Sequence, residues 1–435
     1  MKKPSEDNIL SHEDVSPEVD TGENEVQENE IGSESVAAPE SKDEDKPVPE
    51  DMAAEIDDFK FLKHVSVKRS SHSSHSHSSH SSGSGHHHHH HHKRKRRRRK
   101  KMKTWKKVLI IVISVLLAIV LAVTGVLFYL VNKGHEELFD VQLNVQLPDT
   151  IQAEVQDDGD YIFYNGRTYS YNHDVTSILF LGIDKRSIED DTEQGTGGQA
   201  DFAVLVAVNV KSHKMTMFPI PRDTITEVAK YSPSGTYNGM AKMQLCLAYA
   251  YGDGKESSCE NMVSSVRRIF YNVPVKTYYA LDLDGIAAMN DAVGGIDVVS
   301  PETISDFTKG ESYHLEGKQA ESFVRSRVHN DKNASSMRLE RQKVYVKGFL
   351  SKMQKTLKNN IFSSVTLFNE SSPYSITNLN AAKVSYLAKE FTFGGGMETI
   401  ISDIKGEVTL DANNKAEFKI DEQQFFEQFL SVYYE

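Results

Sequence analysis

The stretch GQADFAVLVAVNVKSHKMTMFPIPRDT, Gly198–Thr224, decides the fold. It holds two apolar runs, ADFAVLVAVNV and KMTMFPI, joined by a short polar turn. Near-continuous hydrophobicity over such lengths belongs to strands buried on both faces. The run before it, TSILFLGID (Thr176–Asp184), reads the same way. Working outward, YIFYNGRTYSY is a hairpin that turns at Asn165-Gly166. MAKMQLCLAYAYGDG has helical periodicity and is stopped by Gly252 and Gly254. SSCENMVSSVRRIF predicts a second helix, VKTYYALDL a strand, DGIAAMNDAV a helix and GGIDVVSPE a turn and strand. MRLERQKVYVKGFLSKMQKTLKN is a long helix. Near the C-terminus, GEVTLD and AEFKI predict strands and DEQQFFEQFLSVYY a helix, with no chemistry assigned. Strands and helices interleave, which gives an α/β fold: an α-β-α sandwich around a mixed sheet.

The net charge of −12 over 435 residues hides three zones. Residues 1–58 carry 20 acids and 4 bases, and residues 59–107 carry 16 bases and no acid. Residues 132–435 carry 42 acids and 30 bases. The first 107 residues lack apolar periodicity and read as a disordered tail, acidic, then Ser/His-rich, then basic. Its seven consecutive histidines, His86–His92, read as a solvated low-complexity tract rather than a metal site. Residues 108–131 are 24 uncharged residues, about 36 Å as a helix, enough to cross a bilayer of ~30 Å. Twelve Lys and Arg stand between Lys93 and Lys107, so the tail is expected in the cytoplasm and the rest outside. That position assigns the basic run to topology and anionic lipid, not to nucleic acid. The expected organisation is tail 1–107, membrane span 108–131, stalk and entry strands 132–172, main domain 173–360 and C-terminal extension 361–435. Cys246 and Cys259 flank a loop and either form a disulfide or stay as two buried thiols.

The candidate chemistry lies at strand ends, where sites form in α/β sheets. Asp184 closes one strand and Asp201 opens the next. Two converging carboxylates suit a hard divalent cation, Mg²⁺ or Mn²⁺. Arg222 and Asp223 follow the second strand, in a turn fixed by Pro219 and Pro221. FVRSRV places Arg325 and Arg327 on one face if extended. MRLERQK places Arg338, Arg341 and Gln342 on one helical stripe. Guanidinium forks match phosphate oxygens, and several together suit a multiply charged anion. The chain shows none of G-x-x-x-x-G-K-[ST], G-x-S-x-G or H-E-x-x-H.

These residues together resemble the LytR-CpsA-Psr family of cell-envelope enzymes, from about Tyr161 to residue 355 and more loosely to the C-terminus. ILFLGIDKR, GQADFAVLVAVN, PIPRDT, LAYAYGDG, LEGKQAESFVRSR and RLERQ carry the resemblance. It implies that 173–360 is a catalytic phosphotransferase domain. The enzyme would move a glycopolymer, such as a teichoic acid or capsular polysaccharide, from a polyprenyl-pyrophosphate carrier to a peptidoglycan hydroxyl. The setting would be a bacterial cell membrane of Gram-positive type. By residue matching, Asp184 and Asp201 would hold Mg²⁺. Arg222, Arg325, Arg327, Arg338, Arg341 and Gln342 would hold the pyrophosphate, with Asp184, Asp201 and Arg222 as the catalytic set. A free oxygen of Asp184 or Asp201 would serve as base. A polyprenyl pocket would lie between the sheet and helices such as MQLCLAYAY. The chain departs from the family pattern at Gln199, where many members have arginine, and at Ser335, where many have an acid. Arg186 or Lys185 would compensate for the missing charge. A polyprenyl-binding sensor or scaffold without catalysis, and a polyprenyl-pyrophosphate hydrolase, remain the alternatives.

Overall fold

The computed structural model describes residues 102–187, 197–327, 334–393 and 396–435. The acidic and His-rich parts of the expected tail lie outside the described residues. The first helix, α1 (Thr104–Phe139), contains the whole predicted span and continues eight residues beyond it. Its apolar side chains from Val108 to Tyr129 are exposed, which suits lipid rather than a protein core.

The end of α1 is fixed to the domain that follows. Gly134 lies against α8 (Ala381–Phe393), and a Cβ on it would sit 2.1 Å from the Ala382 carbonyl oxygen. Phe139 meets Tyr386 edge-on, and Thr176 Oγ1 donates to Leu138 O at 3.0 Å. The chain then forms a three-stranded antiparallel meander, β1 (Ala153–Gln156), β2 (Tyr161–Tyr164) and β3 (Arg167–Ser170). This region does not stand off as a stalk. Val145, Ile151 and Ile162 are buried in the main core.

The central sheet has the order β12-β9-β4-β5-β6-β13. Its strands are β4 (Val175–Ile183), β5 (Ala200–Asn209), β6 (Lys214–Ile220), β9 (Thr277–Leu281), β12 (Ser375–Thr377) and β13 (Glu398–Ile401). β4–β5, β5–β6 and β9–β12 run antiparallel, while β4–β9 and β6–β13 run parallel, so the sheet is mixed. On one face lie α3 (Glu256–Ile269) and α9 (Glu422–Tyr433), packing Met262, Val266, Phe425 and Phe429 onto Leu179, Leu205 and Phe218. On the other lie α6 (Ala334–Asn359) and α8, with Leu357 and Phe391 over Val204, Val206 and Met217. The expected sandwich is thus present. The segment 361–435 supplies both outer strands of the sheet and, in α8 and α9, one covering helix on each face.

A smaller cluster joins α4 (Leu283–Ala292), α5 (Lys318–Arg325) and the pair β10 (Ile296–Val299) and β11 (Ser312–Leu315) to α6. Two further hairpins flank the site: β7 (Ile225–Tyr231) with β8 (Tyr237–Gln244), and β14 (Gly406–Leu410) with β15 (Ala416–Ile420). Helix α7 (Ser363–Ser371) follows α6.

Two local expectations change. Most of MAKMQL is strand β8, and only Leu247–Ala250, α2, is helical. Its apolar residues fit either period, and backbone pairing with β7 from Ile225↔Gln244 onward decides for strand. FVR is the last turn of α5, not an extended segment, so Arg325 and Arg327 are not held by strand geometry.

Candidate functional site

The β4–β5 register places the two acids. Gly182 pairs with Phe202 and Ile183 with Ala200, so Asp201 is an extra residue on β5 and forms a bulge. A bulge re-aims the side chain it carries. Asp184 N donates to Gln199 O at 3.0 Å just past the end of β4. The carboxylates therefore arise from adjacent strand ends, as the sequence suggests.

Arg222 comes from the turn after β6. Thr224 Oγ1 bonds to Pro221 O at 2.7 Å, and Cys246 N bonds to Arg222 O at 3.1 Å, which pins that turn to α2. The guanidinium is engaged on every side. Nη1 donates to Asp201 Oδ1, Nη2 to Gln199 Oε1 at 2.6 Å and to Cys246 Sγ at 3.3 Å, and Nε lies 3.4 Å from Asp223 Oδ1. Burial works against its charge, yet Cys246, Asp201 and Asp223 together hold its pKa above the usual value. Burial pushes the Cys246 thiol up to about 11, so at neutral pH it is uncharged and the two acids do the holding. Cys246 and Cys259 are separate buried thiols, the second of the two alternatives.

Arg338, from the first turns of α6, donates to Asp201 Oδ2 at 3.1 Å. Both Asp201 oxygens are thus committed, and neither is free to act as a base. Arg325 Nη2 lies 3.4 Å from Asp184 Oδ1, and its Nη1 donates to Glu321 Oε1 at 3.0 Å. Gln342 Nε2 lies 3.5 Å from Val324 O. Arg327 is exposed just beyond α5.

Two arginines stand apart from this group. Arg186 bridges Asp284, at 2.8 Å, and Glu321, at 2.9 Å, and ties α4 to α5. Arg341 is 1% exposed and is buried beneath α5. Its Nε donates to Phe323 O at 2.9 Å, its Nη2 to Ser326 O and its Nη1 to Glu302. These bonds satisfy carbonyls at the helix C-terminus, which have no partner of their own. Burial, the largest influence, lowers the Arg341 pKa, and Glu302 opposes it. Arg341 thus anchors the segment bearing Arg325 and Arg327 rather than facing the mouth. Glu321 and Glu302 were missed by the sequence reading. Glu321 had a signal, four residues before Arg325 on one helix. Glu302, 39 residues from Arg341, had none.

Below the mouth opens a cavity of about 360 Å³, in the size range of ligand pockets. It runs along β4 from Ile178 to Asp184 and is walled by α6 and α8, with Met353, Leu387 and Phe391 among its apolar lining. It lies on the face of the sheet opposite α2 and α3, not against MQLCLAYAY as expected. The helices of that other face fill their space with Met262, Val266 and Phe425. Asp184, Asp201, Arg325, Arg338 and Gln342 form the charged end of the cavity. Thr176, at the other end of β4, touches the end of α1. Eight residues of strand, about 26 Å, separate α1 from the acids.

Among the described residues, no group of three or more His, Cys, Asp or Glu comes together. Two carboxylates alone do not cage a metal. They suit a hard cation that completes its shell with substrate phosphate oxygens and water.

Fold and site together define an α/β sandwich behind one membrane-length helix, with a guanidinium–carboxylate mouth over an apolar cavity. The chain belongs to the LytR_cpsA_psr family, whose model matches residues 145–430. It is 27% identical over 278 residues to polyisoprenyl-teichoic acid–peptidoglycan teichoic acid transferase TagU of Bacillus licheniformis, covering 60% of this chain and 79% of that one. It is 32% identical over 188 residues to the corresponding transferase TagV of Bacillus subtilis, covering 41% and 43%. The crystal structure of B. subtilis TagV aligns with a TM-score of 0.46 at 23% identity, over 59% of this chain and 96% of that one.

Proposed function

We propose that the protein is a phosphotransferase that moves a glycopolymer from a polyprenyl-diphosphate carrier to a peptidoglycan hydroxyl and leaves a phosphodiester. One observation carries the reading: a cavity of lipid character ends at a cluster of arginines and carboxylates. An apolar chain and a diphosphate need that sequence of surroundings. The names of the relatives agree with it.

In this reading the polyprenyl chain fills the cavity along β4 and the diphosphate sits at the mouth. Arg222, Arg325, Arg327, Arg338 and Gln342 bind and orient the phosphate oxygens. Ion pairs with Asp184 and Asp201 hold the guanidiniums of Arg222, Arg325 and Arg338 in place before substrate arrives, so little reorganisation remains for those three. Asp184 and Asp201 would hold a Mg²⁺, Asp201 only by giving up one of its two arginine bonds. A bound Mg²⁺ supplies charge neutralisation at the diphosphate. Arg341 and Arg186 position the elements that carry these groups.

The basic segment before α1 supports an N-terminal side in the cytoplasm and a domain outside, where it would meet peptidoglycan. The reading is tested by reconstituting the full chain with a short lipid-linked glycan, a peptidoglycan oligomer and Mg²⁺. Joined product is expected, and EDTA or Arg222→Ala should abolish it. Donor binding without product would favour the scaffold alternative. Phosphate release without joining would favour the hydrolase.

A further inference from the structure

A second, smaller notch opens behind the arginine layer. It measures about 20 Å³ and is lined by Pro221, Asp223, Ser335, Val408, Ala416 and Phe418. Asp201, Arg338 and Gln342 border both the notch and the large cavity, so the two spaces meet at these side chains. The notch is roofed by the β14–β15 hairpin, and the Phe418 amide donates to Asp223 O at 2.8 Å, which fixes that roof to the arginine turn. Asp223 and Arg222 line the notch but not the cavity.

We infer that this notch admits the acceptor hydroxyl and that Asp223 takes its proton. The inference rests on the transferase reading above and adds the acceptor side to it. Phosphoryl transfer runs in line, with the attacking and leaving oxygens on opposite sides of phosphorus. The leaving group is polyprenyl phosphate, and its chain occupies the apolar cavity. The attacking oxygen must therefore arrive from the other side of the layer formed by Asp201, Arg222 and Arg338, and the notch opens there. Its volume holds one water-sized group, so it takes a hydroxyl and excludes a sugar ring. Asp201 is unsuited to the proton transfer because Arg222 and Arg338 occupy its two oxygens. Asp223 is ion-paired only through Oδ1, at 3.4 Å, among the described residues.

The step balances. The acceptor O–H gives its proton to the Asp223 carboxylate. The oxygen forms a bond to the glycan-bearing phosphorus. The bond from that phosphorus to the bridging oxygen breaks, and polyprenyl monophosphate leaves with the electron pair.

The test uses the full chain in nanodiscs, with lipid-linked glycan as donor and a peptidoglycan oligomer as acceptor. Donor affinity and joined product are measured for wild type, Asp223→Asn and Val408→Trp. Val408 is 40% exposed on the notch rim, so a larger side chain there is tolerated by the fold. Asp223→Asn should lower kcat about 100-fold or more, the range for losing a positioned base, with donor affinity within about threefold. Val408→Trp should raise the KM for acceptor and leave the KM for donor unchanged; unchanged donor affinity also shows that each variant is folded. Wild-type transfer by Asp223→Asn, or a loss of donor affinity in Val408→Trp, overturns the notch assignment alone. If wild type binds donor and joins nothing, the transferase reading falls first and the acceptor site falls with it.

Discussion

Gln199 accepts a hydrogen bond from Arg222 Nη2 at 2.6 Å. In sequence, Gln199 looks like a lost positive charge. In the fold it is a brace for Arg222, which lines the notch beside Asp201. Its amide oxygen meets the guanidinium edge that Asp201 leaves open. Gln199→Ala should lower transfer by about tenfold or more, since a hydrogen bond to a charged group contributes ~1.5–3 kcal/mol. Gln199→Arg should not gain activity, because it sets a second guanidinium against Nη2 of Arg222. Steady-state transfer rates for the two variants decide this; a faster Gln199→Arg enzyme would return Gln199 to the role of a missing ligand.

Arg341 separates a structural arginine from a ligand. Its guanidinium is buried, and Glu302 is 13% exposed at the side chain. Removing one partner of a buried pair leaves the other uncompensated, at a cost of about 3–5 kcal/mol. Arg341→Ala should therefore lower the melting temperature sharply. Arg338→Ala, which removes a guanidinium from the mouth, should lower donor affinity more than stability. Calorimetry beside donor titration reads both; equal melting temperatures for the two variants would contradict the assignment.

The cavity makes a prediction about chain length. Ala388 is 5% exposed and lines it from α8. A tryptophan there takes space from the lipid. Each ~100 Å² of apolar chain kept out should cost about 2.5 kcal/mol of binding. Ala388→Trp should weaken binding of long polyprenyl donors and leave a short-chain diphosphate analogue unaffected. Equal weakening of both would place the lipid elsewhere.

The buried thiols predict a reactivity profile. With its pKa pushed up to about 11, Cys246 holds little thiolate at pH 8, and Cys259 is raised further by burial. Thiolate is the nucleophile, so native protein should resist alkylation near pH 8. Reactivity should rise as pH climbs toward the raised value. Denatured protein should take up two alkyl groups without reductant. Mass spectrometry reads this directly, and no uptake after denaturation would reveal a disulfide.

Much of the architecture was legible because its signals are local. The continuous apolar strands, the uncharged span and the long helix with Arg338 each announce themselves within one stretch. The acids at the strand ends were legible for the same reason. The failures share another cause: they depend on which segments meet. MAKMQL became a strand because β7 offered it backbone partners. Arg341 left the ligand set because Glu302 and the end of α5 surround it. The cavity changed faces because the phenylalanines of α9 fill the side first expected to hold it. The bulge at Asp201 is a one-residue mismatch between two strands, visible only once they are paired.

The domain meets its membrane helix where α8 packs on the end of α1. Gly134 lets α1 approach α8 so closely that a Cβ would lie 2.1 Å from Ala382 O and 2.6 Å from its carbonyl carbon. Both are backbone atoms and cannot swing aside. α8 turns Ala382 and Tyr386 toward α1 and lines the cavity with Val384 and Leu387. One helix thus joins the membrane segment to the wall of the cavity. Gly134→Leu must push the two helices apart and tilt the cavity relative to α1. A donor embedded in a bilayer has to enter from a fixed height, so its transfer should fall several-fold. A short-chain donor in solution has no such constraint, and its transfer should stay near wild type. Comparing the two donors in nanodiscs isolates the effect. If both fall together, the substitution has damaged the domain itself rather than its placement over the membrane.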